Sequence, residues 1–121
     1  MILGLRTAIY PAPDLARAKA WYSKVLGIAP YFDEPFYVGF AVGGFELGLL
    51  PDAEPGTQGV HTLWGVANAK QEFDRLIKLG ATSIEPVHEV GDGILVGAVK
   101  DPFGNRLGII ENPHFKASEV R

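Results

Sequence analysis

The chain lacks cysteine in all of its 121 residues. This absence excludes disulfide bonds, thiolate nucleophiles and cysteine-ligated zinc together. Disulfides are typical of secreted proteins and are rare in the reducing cytoplasm, so the composition favours a cytoplasmic protein.

An excess of positive charge is also missing. The chain carries 11 Lys and Arg against 14 Asp and Glu, which gives a formal net charge of −3. Proteins that bind nucleic acid need clustered cations to replace the counterions of the phosphate backbone. The sequence therefore predicts no nucleic-acid partner.

Long apolar runs are absent as well. The longest, FYVGFAVGGFELGLL at 36–50, contains Glu46 and is shorter than the ~20 residues that a membrane-spanning helix requires. The N-terminal MILGLRTAIYPAP has no basic region before its apolar start, and Arg6 and the prolines interrupt it. We expect neither a signal peptide nor a membrane partner.

What the chain does contain is an internal repeat. With 47% hydrophobic residues and this length, it suits one globular domain. The stretches GFELGLL at 44–50 and GNRLGII at 104–110 share the pattern Gly-x-x-Leu-Gly-aliphatic-aliphatic, sixty positions apart. A self-similarity at a fixed distance indicates two copies of one structural unit.

Helix signals fall into the same register. Asp14 and Asn68 are good N-caps, because their side chains can accept hydrogen bonds from free N–H groups of the first helical turn. Apolar residues at helical spacing follow each cap, and Gly27 and Gly80 can end the two helices. The pattern predicts one helix in each copy.

Segments rich in β-branched and aromatic residues follow each helix, separated by turn residues. They are predicted as strands at about 28–32, 36–42 and 45–50, and then 83–90, 93–99 and 105–111. The order is βαβββ, twice.

We interpret residues 1–121 as a single α+β domain of two modules, about 1–52 and 59–113, with a linker at about 51–59 and a tail at 114–121. The modules should associate, within the chain or across a dimer, as a curved mixed sheet around a cleft.

Three motifs give the sequence a family resemblance. PDLARAKAWYSKVLG at 13–27, VHTLWGVANA at 60–69 and DPFGNRLGIIENP at 101–113 together resemble the vicinal oxygen chelate superfamily. This superfamily includes glyoxalase I, extradiol dioxygenases and bleomycin-resistance proteins. The resemblance implies the paired βαβββ fold, but the fold hosts both catalysts and binding proteins.

The resemblance also implies where a metal ion would bind. Metal-dependent members use the first strand and the last strand of each copy, and these positions correspond here to Thr7, Gly48, His61 and Gly108. Only His61 is a good ligand. Glu46 could be a second one, whereas a catalytic zinc normally has three protein ligands. We therefore expect no metal cofactor, with a divalent metal held by His61 and Glu46 as the alternative.

Strand alternation places Glu46 on the face of Gly48, and Arg106 on the face of Gly108. We expect His61, Glu46 and Arg106 to orient a ligand. Each also has a structural interpretation: a hydrogen-bonded strand histidine, and an ion pair or solvated charges. The predicted ligand-binding set also contains Thr7 and Phe40. For the strand at 36–42, the cleft face is either that of residues 36, 38 and 40 or that of residues 37, 39 and 41, and the pattern leaves both open.

The leading hypothesis is a homodimeric, metal-independent protein similar to glyoxalase and bleomycin-resistance proteins, which binds a small organic molecule and sequesters it. The main alternative is a divalent-metal lyase, isomerase or dioxygenase of the same superfamily. The second alternative is a non-catalytic dimeric interaction module. Whether the protein is an enzyme stays open at this point.

Overall fold

The structure is a computed structural model that describes residues 1–120. It consists of two compact units, unit 1 (residues 1–56) and unit 2 (residues 57–120). Each contains the elements βαβββ in that order, so the predicted double module and the α+β class are confirmed. The boundary between the units falls inside the segment predicted as a linker, 51–59.

The bounds of the elements are as follows. Unit 1 contains β1 (Thr7–Pro11), α1 (Leu15–Leu26), β2 (Phe32–Glu34), β3 (Tyr37–Val42) and β4 (Phe45–Leu50). Unit 2 contains β5 (Leu63–Gly65), α2 (Ala69–Lys78), β6 (Thr82–Gly91), β7 (Ile94–Lys100), β8 (Arg106–Glu111) and a short 3₁₀ turn (Ala117–Glu119). None of the helices within residues 1–120 is long and apolar enough to cross a membrane.

Each unit has one four-stranded mixed sheet. Sheet A has the order β1-β4-β3-β2 and sheet B the order β5-β8-β7-β6. In both sheets the first and last strands of the unit pair in parallel, and the other pairs are antiparallel. The repeated GFELGLL and GNRLGII segments form β4 and β8, which lie between two neighbouring strands in their sheets.

The predicted caps begin both helices. Asp14 Oδ1 accepts a hydrogen bond from Arg17 N at 3.2 Å, and Asn68 Oδ1 accepts one from Gln71 N at 3.0 Å. Gly27 ends α1 in the left-handed conformation, with φ of 68°. Glycine is favoured there because it has no Cβ to clash in that conformation.

Each helix covers one face of the sheet in its own unit. On this helix face of sheet A, alternate strand residues are buried, and they are Ala8, Tyr10, Val38, Phe40, Leu47 and Leu49. The corresponding buried residues of sheet B are Val99, Leu107 and Ile109, with Leu76 from α2. The opposite face of each sheet, called here the outer face, carries the side chains in between.

One strand differs clearly from its predicted position. The segment 28–32 was expected to form a strand, whereas β2 starts at Phe32 and ends at Glu34. Pro30 has no N–H to contribute to a ladder, so regular pairing cannot start before it. The first hydrogen bond to β3 is donated by Tyr31 N to Gly39 O, at 3.0 Å.

Candidate functional site

The outer face of sheet A brings together residues from all four of its strands. Thr7 of β1 is the pairing partner of Glu46 of β4, and Gly48 pairs with Gly39 of β3. Phe32 of β2 pairs in turn with Gly39. Residues directly opposite each other on neighbouring strands point to the same side of a sheet, so all of these residues belong to the outer face.

Glu46 is the centre of a hydrogen-bonded cluster on this face. The hydroxyl of Tyr31 donates to one carboxylate oxygen of Glu46, and the hydroxyl of Tyr37 donates to the other. No Lys, Arg or His among residues 1–120 forms an ion pair with Glu46. The carboxylate is therefore oriented by two neutral donors while its charge lacks a cationic partner.

The pKa values of both phenols are raised, by Glu46 and by burial. The hydrogen bond to Glu46, together with its negative charge, raises the pKa of Tyr31 above 10.0. Burial, followed by the hydrogen bond to Glu46, raises the pKa of Tyr37 well above 10.0. Both hydroxyls consequently keep their protons near neutral pH and act as donors.

Two glycines make room for the tyrosine rings. A Cβ at Gly39 would lie 3.3 Å from Tyr31 Cε1 and 3.4 Å from Tyr37 Cε2. A Cβ at Gly48 would overlap the Tyr37 hydroxyl and lie 2.6 Å from Tyr37 Cζ. The Tyr37 side chain thus occupies the space into which any side chain at position 48 would extend.

Further aromatic rings surround this cluster. The Phe32 ring centre lies 6.0 Å from that of Phe36 and 6.1 Å from that of Tyr37, both at steep angles. Tyr31 is 64% exposed and Phe36 62% exposed. Ile9, next to Gly48 in the ladder, is 53% exposed. The outer face of unit 1 is an accessible, mainly aromatic and apolar surface with one carboxylate.

The outer face of unit 2 carries different chemistry. Arg106 Nη2 donates to Glu85 Oε1 at 2.7 Å, and Glu85 Oε2 lies 3.4 Å from His88 Nε2. The Arg106 side chain is only 13% exposed, and its Nε is buried without a hydrogen-bond partner. The cation of this face is therefore already paired with a carboxylate of its own unit.

Gly108, the counterpart of Gly48, is also tightly enclosed. A Cβ at Gly108 would lie 2.5 Å from the carbonyl oxygen of Thr62 and 2.8 Å from Leu63 Cδ2. Backbone, rather than a mobile side chain, closes this position. His61 precedes β5, which starts only at Leu63, and His61 is exposed.

The structure thus groups only part of the predicted site. Thr7 and Glu46 lie side by side on the outer face of unit 1, and Arg106 lies on the outer face of unit 2. Phe40 is fully buried on the helix face of sheet A, so it is not part of the outer face. The outer face carries Tyr37, Gly39 and Ala41.

The sequence interpretation missed the two tyrosines that hold Glu46. A usable signal was present, because Gly39 and Gly48 are unusual within the interior of strands and such glycines often mark a close approach of another group. Tyr37 is two positions from Gly39 and therefore on the same face.

The family follows from this architecture and from direct comparison. A model of the Glyoxalase/Bleomycin resistance protein/Dioxygenase superfamily matches residues 4–109, and the chain belongs to this superfamily. Among curated proteins, none is similar enough to count as a match.

Solved structures share the fold at low sequence identity. A glyoxalase-related enzyme from Fulvimarina pelagi is 22% identical, with a TM-score of 0.74 over 93% of this chain and 90% of that one. Lactoylglutathione lyase from Agrobacterium tumefaciens is 19% identical, with a TM-score of 0.75 over 96% and 100% of the two chains. A superfamily member from Sphaerobacter thermophilus is 21% identical, with a TM-score of 0.73 over 93% and 99%. These likenesses concern the fold.

The residues at the metal positions fit a metal ion poorly. No group of three or more His, Cys, Asp or Glu side chains within residues 1–120 is arranged to hold one. At positions 48 and 108, a Tyr37 hydroxyl and a backbone carbonyl occupy the places where a ligating side chain would begin. Both oxygens of Glu46 already accept phenolic protons.

Proposed function

We propose that this protein binds a small organic molecule on the outer face of unit 1, without a metal ion, and acts by sequestering it. The observation that carries the proposal is the Glu46 carboxylate held by Tyr31 and Tyr37 on an accessible aromatic surface. Small-molecule sites are mainly apolar, with a few well-placed polar groups that fix the orientation of the ligand. The outer face of unit 1 has this composition.

The orientation of Glu46 supports binding. Holding an exposed carboxylate in one position normally costs side-chain entropy when a ligand arrives. The two phenols restrict Glu46 beforehand, and Thr7 beside it offers a hydroxyl that can donate or accept. Ile9, which pairs with Gly48, and Phe36, which lies beside Phe32, add exposed apolar area.

The proposed independence from metal is supported by the donor set. A divalent metal ion at Glu46 would share the carboxylate with two phenolic donors, one on each oxygen. On this face the ion would have the two carboxylate oxygens of Glu46 and the neutral hydroxyl of Thr7 as ligands, whereas hard divalent metals take six or more oxygen ligands. The residues of the outer face suit an organic ligand better.

The proposal includes a homodimer in the cytoplasm. Exposed apolar side chains precede β1, with Ile2, Leu3 and Leu5 at 93%, 59% and 64% exposure, and contiguous patches of this kind often mark interfaces. A dimer would have a mass of about 26 kDa, twice the 13.1 kDa of the chain. Light scattering after gel filtration tests this, and a mass near that of one chain would overturn it.

The binding function is tested by a thermal-shift and calorimetric screen of chemically varied organic molecules, including a glycopeptide of the bleomycin type, in buffer with a chelator. We expect at least one class to bind and Tyr37→Phe to weaken it. Tyr10→Phe, a change to a tyrosine on the helix face, is the matched control. Absence of binding across the panel would overturn the proposal.

Metal analysis of protein purified without a chelator completes the test. We expect substoichiometric metal and the same ligand affinity before and after chelation. A stoichiometric metal ion lost in His61→Ala or Glu46→Gln would instead favour the metal-dependent lyase, isomerase or dioxygenase.

A further inference from the structure

We propose that the ligand of the outer face of unit 1 is an organic cation of the alkylammonium or arylammonium class, paired with Glu46 and lying against the exposed aromatic rings beside it. This inference rests on the proposed function, since it names the ligand class of the same surface. The charge of Glu46, the arrangement of the rings around it and the position of Arg6, whose backbone adjoins that of Glu46, support it.

The charge of Glu46 is the first argument. Two of the other carboxylates have cationic partners of this kind: Asp33 pairs with Lys19 at 3.0 Å, and Glu85 pairs with Arg106 at 2.7 Å. Glu46 has two phenols instead, which satisfy one lone pair on each oxygen but leave the formal charge unbalanced. A cationic ligand would supply the missing charge.

The aromatic rings are the second argument. The face of an aromatic ring carries partial negative charge and attracts a cation placed within about 6 Å of its centre. Tyr31 and Phe36 are more than 60% exposed, and Phe32 is 38% exposed. Tyr31 and Tyr37 bring their rings to the carboxylate itself, so one ligand can contact the charge and the rings together. The same groups disfavour an anion.

The side chain of Arg6 does not take the place of the ligand. The Arg6 carbonyl accepts a hydrogen bond from Glu46 N at 2.8 Å, which fixes the two backbones next to each other. The Arg6 guanidinium nevertheless donates from Nη1 to Leu5 O at 3.1 Å and forms no ion pair with Glu46. Arg6→Gln should therefore leave cation binding intact.

The experiment compares three probes of similar shape: phenyltrimethylammonium, uncharged tert-butylbenzene and anionic benzenesulfonate. Dissociation constants are measured for the full chain in buffer with a chelator, by NMR or calorimetry. We expect the cation to bind at least roughly tenfold more tightly than either other probe, which corresponds to about 1.4 kcal/mol. Glu46→Gln should remove this preference. Glu54→Gln, which removes an equal charge from an exposed loop of the same unit, should retain it.

Two results would overturn the cation class: equal or tighter binding of the neutral or anionic probe, or a preference for the cation that persists in Glu46→Gln. Failure to bind any of the three probes would overturn it as well. If Glu46→Gln does not fold, the salt dependence of probe binding to the wild-type protein is the test of the cation class. Added salt should weaken binding of the cation and leave the neutral probe unaffected, because only the former depends on charge.

The outcomes also separate this inference from the proposed function. Binding of neutral or anionic molecules that is weakened by Tyr37→Phe would retain the binding site and reject only the cation class. If no molecule in the wider panel of organic molecules binds, the binding function itself is rejected.

Discussion

Units 1 and 2 follow the same βαβββ plan, yet their outer faces differ in how the same two positions are used. Position 46 is a carboxylate held by phenols, and its counterpart sixty residues later is Arg106, paired with Glu85. Gly48 lies beneath a tyrosine side chain, whereas Gly108 is enclosed by the backbone at Thr62. The duplicated scaffold thus presents an accessible acidic and aromatic surface in one unit and an internally neutralised ion pair in the other.

Glycine is therefore present at positions 48 and 108 for two different physical reasons. In unit 1 it accommodates the Tyr37 side chain from the neighbouring strand, and in unit 2 it accommodates the backbone at Thr62. The shared pattern of GFELGLL and GNRLGII does not show this distinction. Substitutions at matched positions should therefore have unequal effects in the two units.

The largest difference is expected between Gly108→Ala and Gly48→Ala. Overpacking typically costs 1–3 kcal/mol, and we expect about 3 kcal/mol of unfolding free energy for Gly108→Ala, since a backbone carbonyl cannot rotate away. Gly48→Ala should cost about 1 kcal/mol, because the Tyr37 side chain can turn aside. Urea denaturation measures both values. A greater loss in Gly48→Ala would contradict the proposed distinction.

The second difference concerns the two carboxylates. The side chain of Arg106 is only 13% exposed, and Glu85→Gln leaves its guanidinium without a charged partner. We expect this variant to lose about 2 kcal/mol of unfolding free energy. Glu46→Gln keeps an acceptor for one phenol in an accessible place and should cost under about 1 kcal/mol. Denaturation curves, with Glu54→Gln as the surface control, test this. Equal losses in the two variants would show that the faces do not differ in this way.

The helix caps should behave alike in both units. Asp14→Ala and Asn68→Ala each remove one hydrogen bond to a free N–H group, and each should lower the unfolding free energy by about 1 kcal/mol. At the start of α2, Ala69 N also donates a hydrogen bond to Glu111 Oε1 at 2.8 Å. Glu111→Ala should therefore lower the unfolding free energy separately. Thermal or urea unfolding checks these values, and an unchanged stability in either cap variant would contradict the assignment.

The smallest effect is expected from alkaline pH. The folded pKa of Tyr37 lies above its unfolded value near 10. The associated stability is therefore fully present below about pH 10 and is lost as the pH rises toward the folded pKa. Tyr37→Phe should show a flatter decline of unfolding free energy between about pH 9 and 11 than the wild type. An identical decline would contradict a Tyr37 pKa raised by burial and by the hydrogen bond to Glu46.

Much of the fold could be predicted because its signals are local. Asp14, Asn68 and Gly27 act through groups within one helical turn, and GFELGLL and GNRLGII contain most of β4 and β8. The error at 28–32 arose because β-branched and aromatic residues suggested a strand where Pro30 cannot join a ladder.

The site was harder to predict because it depends on contacts across strands. Glu46 and Thr7 were identified by alternation, but the reach of Tyr31 and Tyr37 to Glu46 depends on the register of β2, β3 and β4. Alternation assigns aromatic residues at 36 and 37 to opposite faces of a strand, which left the strand ambiguous, whereas Phe36 precedes β3 and lies beside Phe32. Phe40 accordingly entered the predicted site, although it lies on the helix face.

The central claim is that unit 1 binds an organic ligand without metal, and glycine amide signals test it most directly. Two-dimensional ¹H–¹⁵N NMR spectra, recorded with a chelator during titration with phenyltrimethylammonium, would report on Gly39 and Gly48 in unit 1 and on Gly108 in unit 2. We predict concentration-dependent shifts at Gly39 and Gly48 that disappear in Glu46→Gln. A shift of Gly108 without shifts of Gly39 and Gly48, or shifts that appear only after a divalent metal is added, would contradict the account.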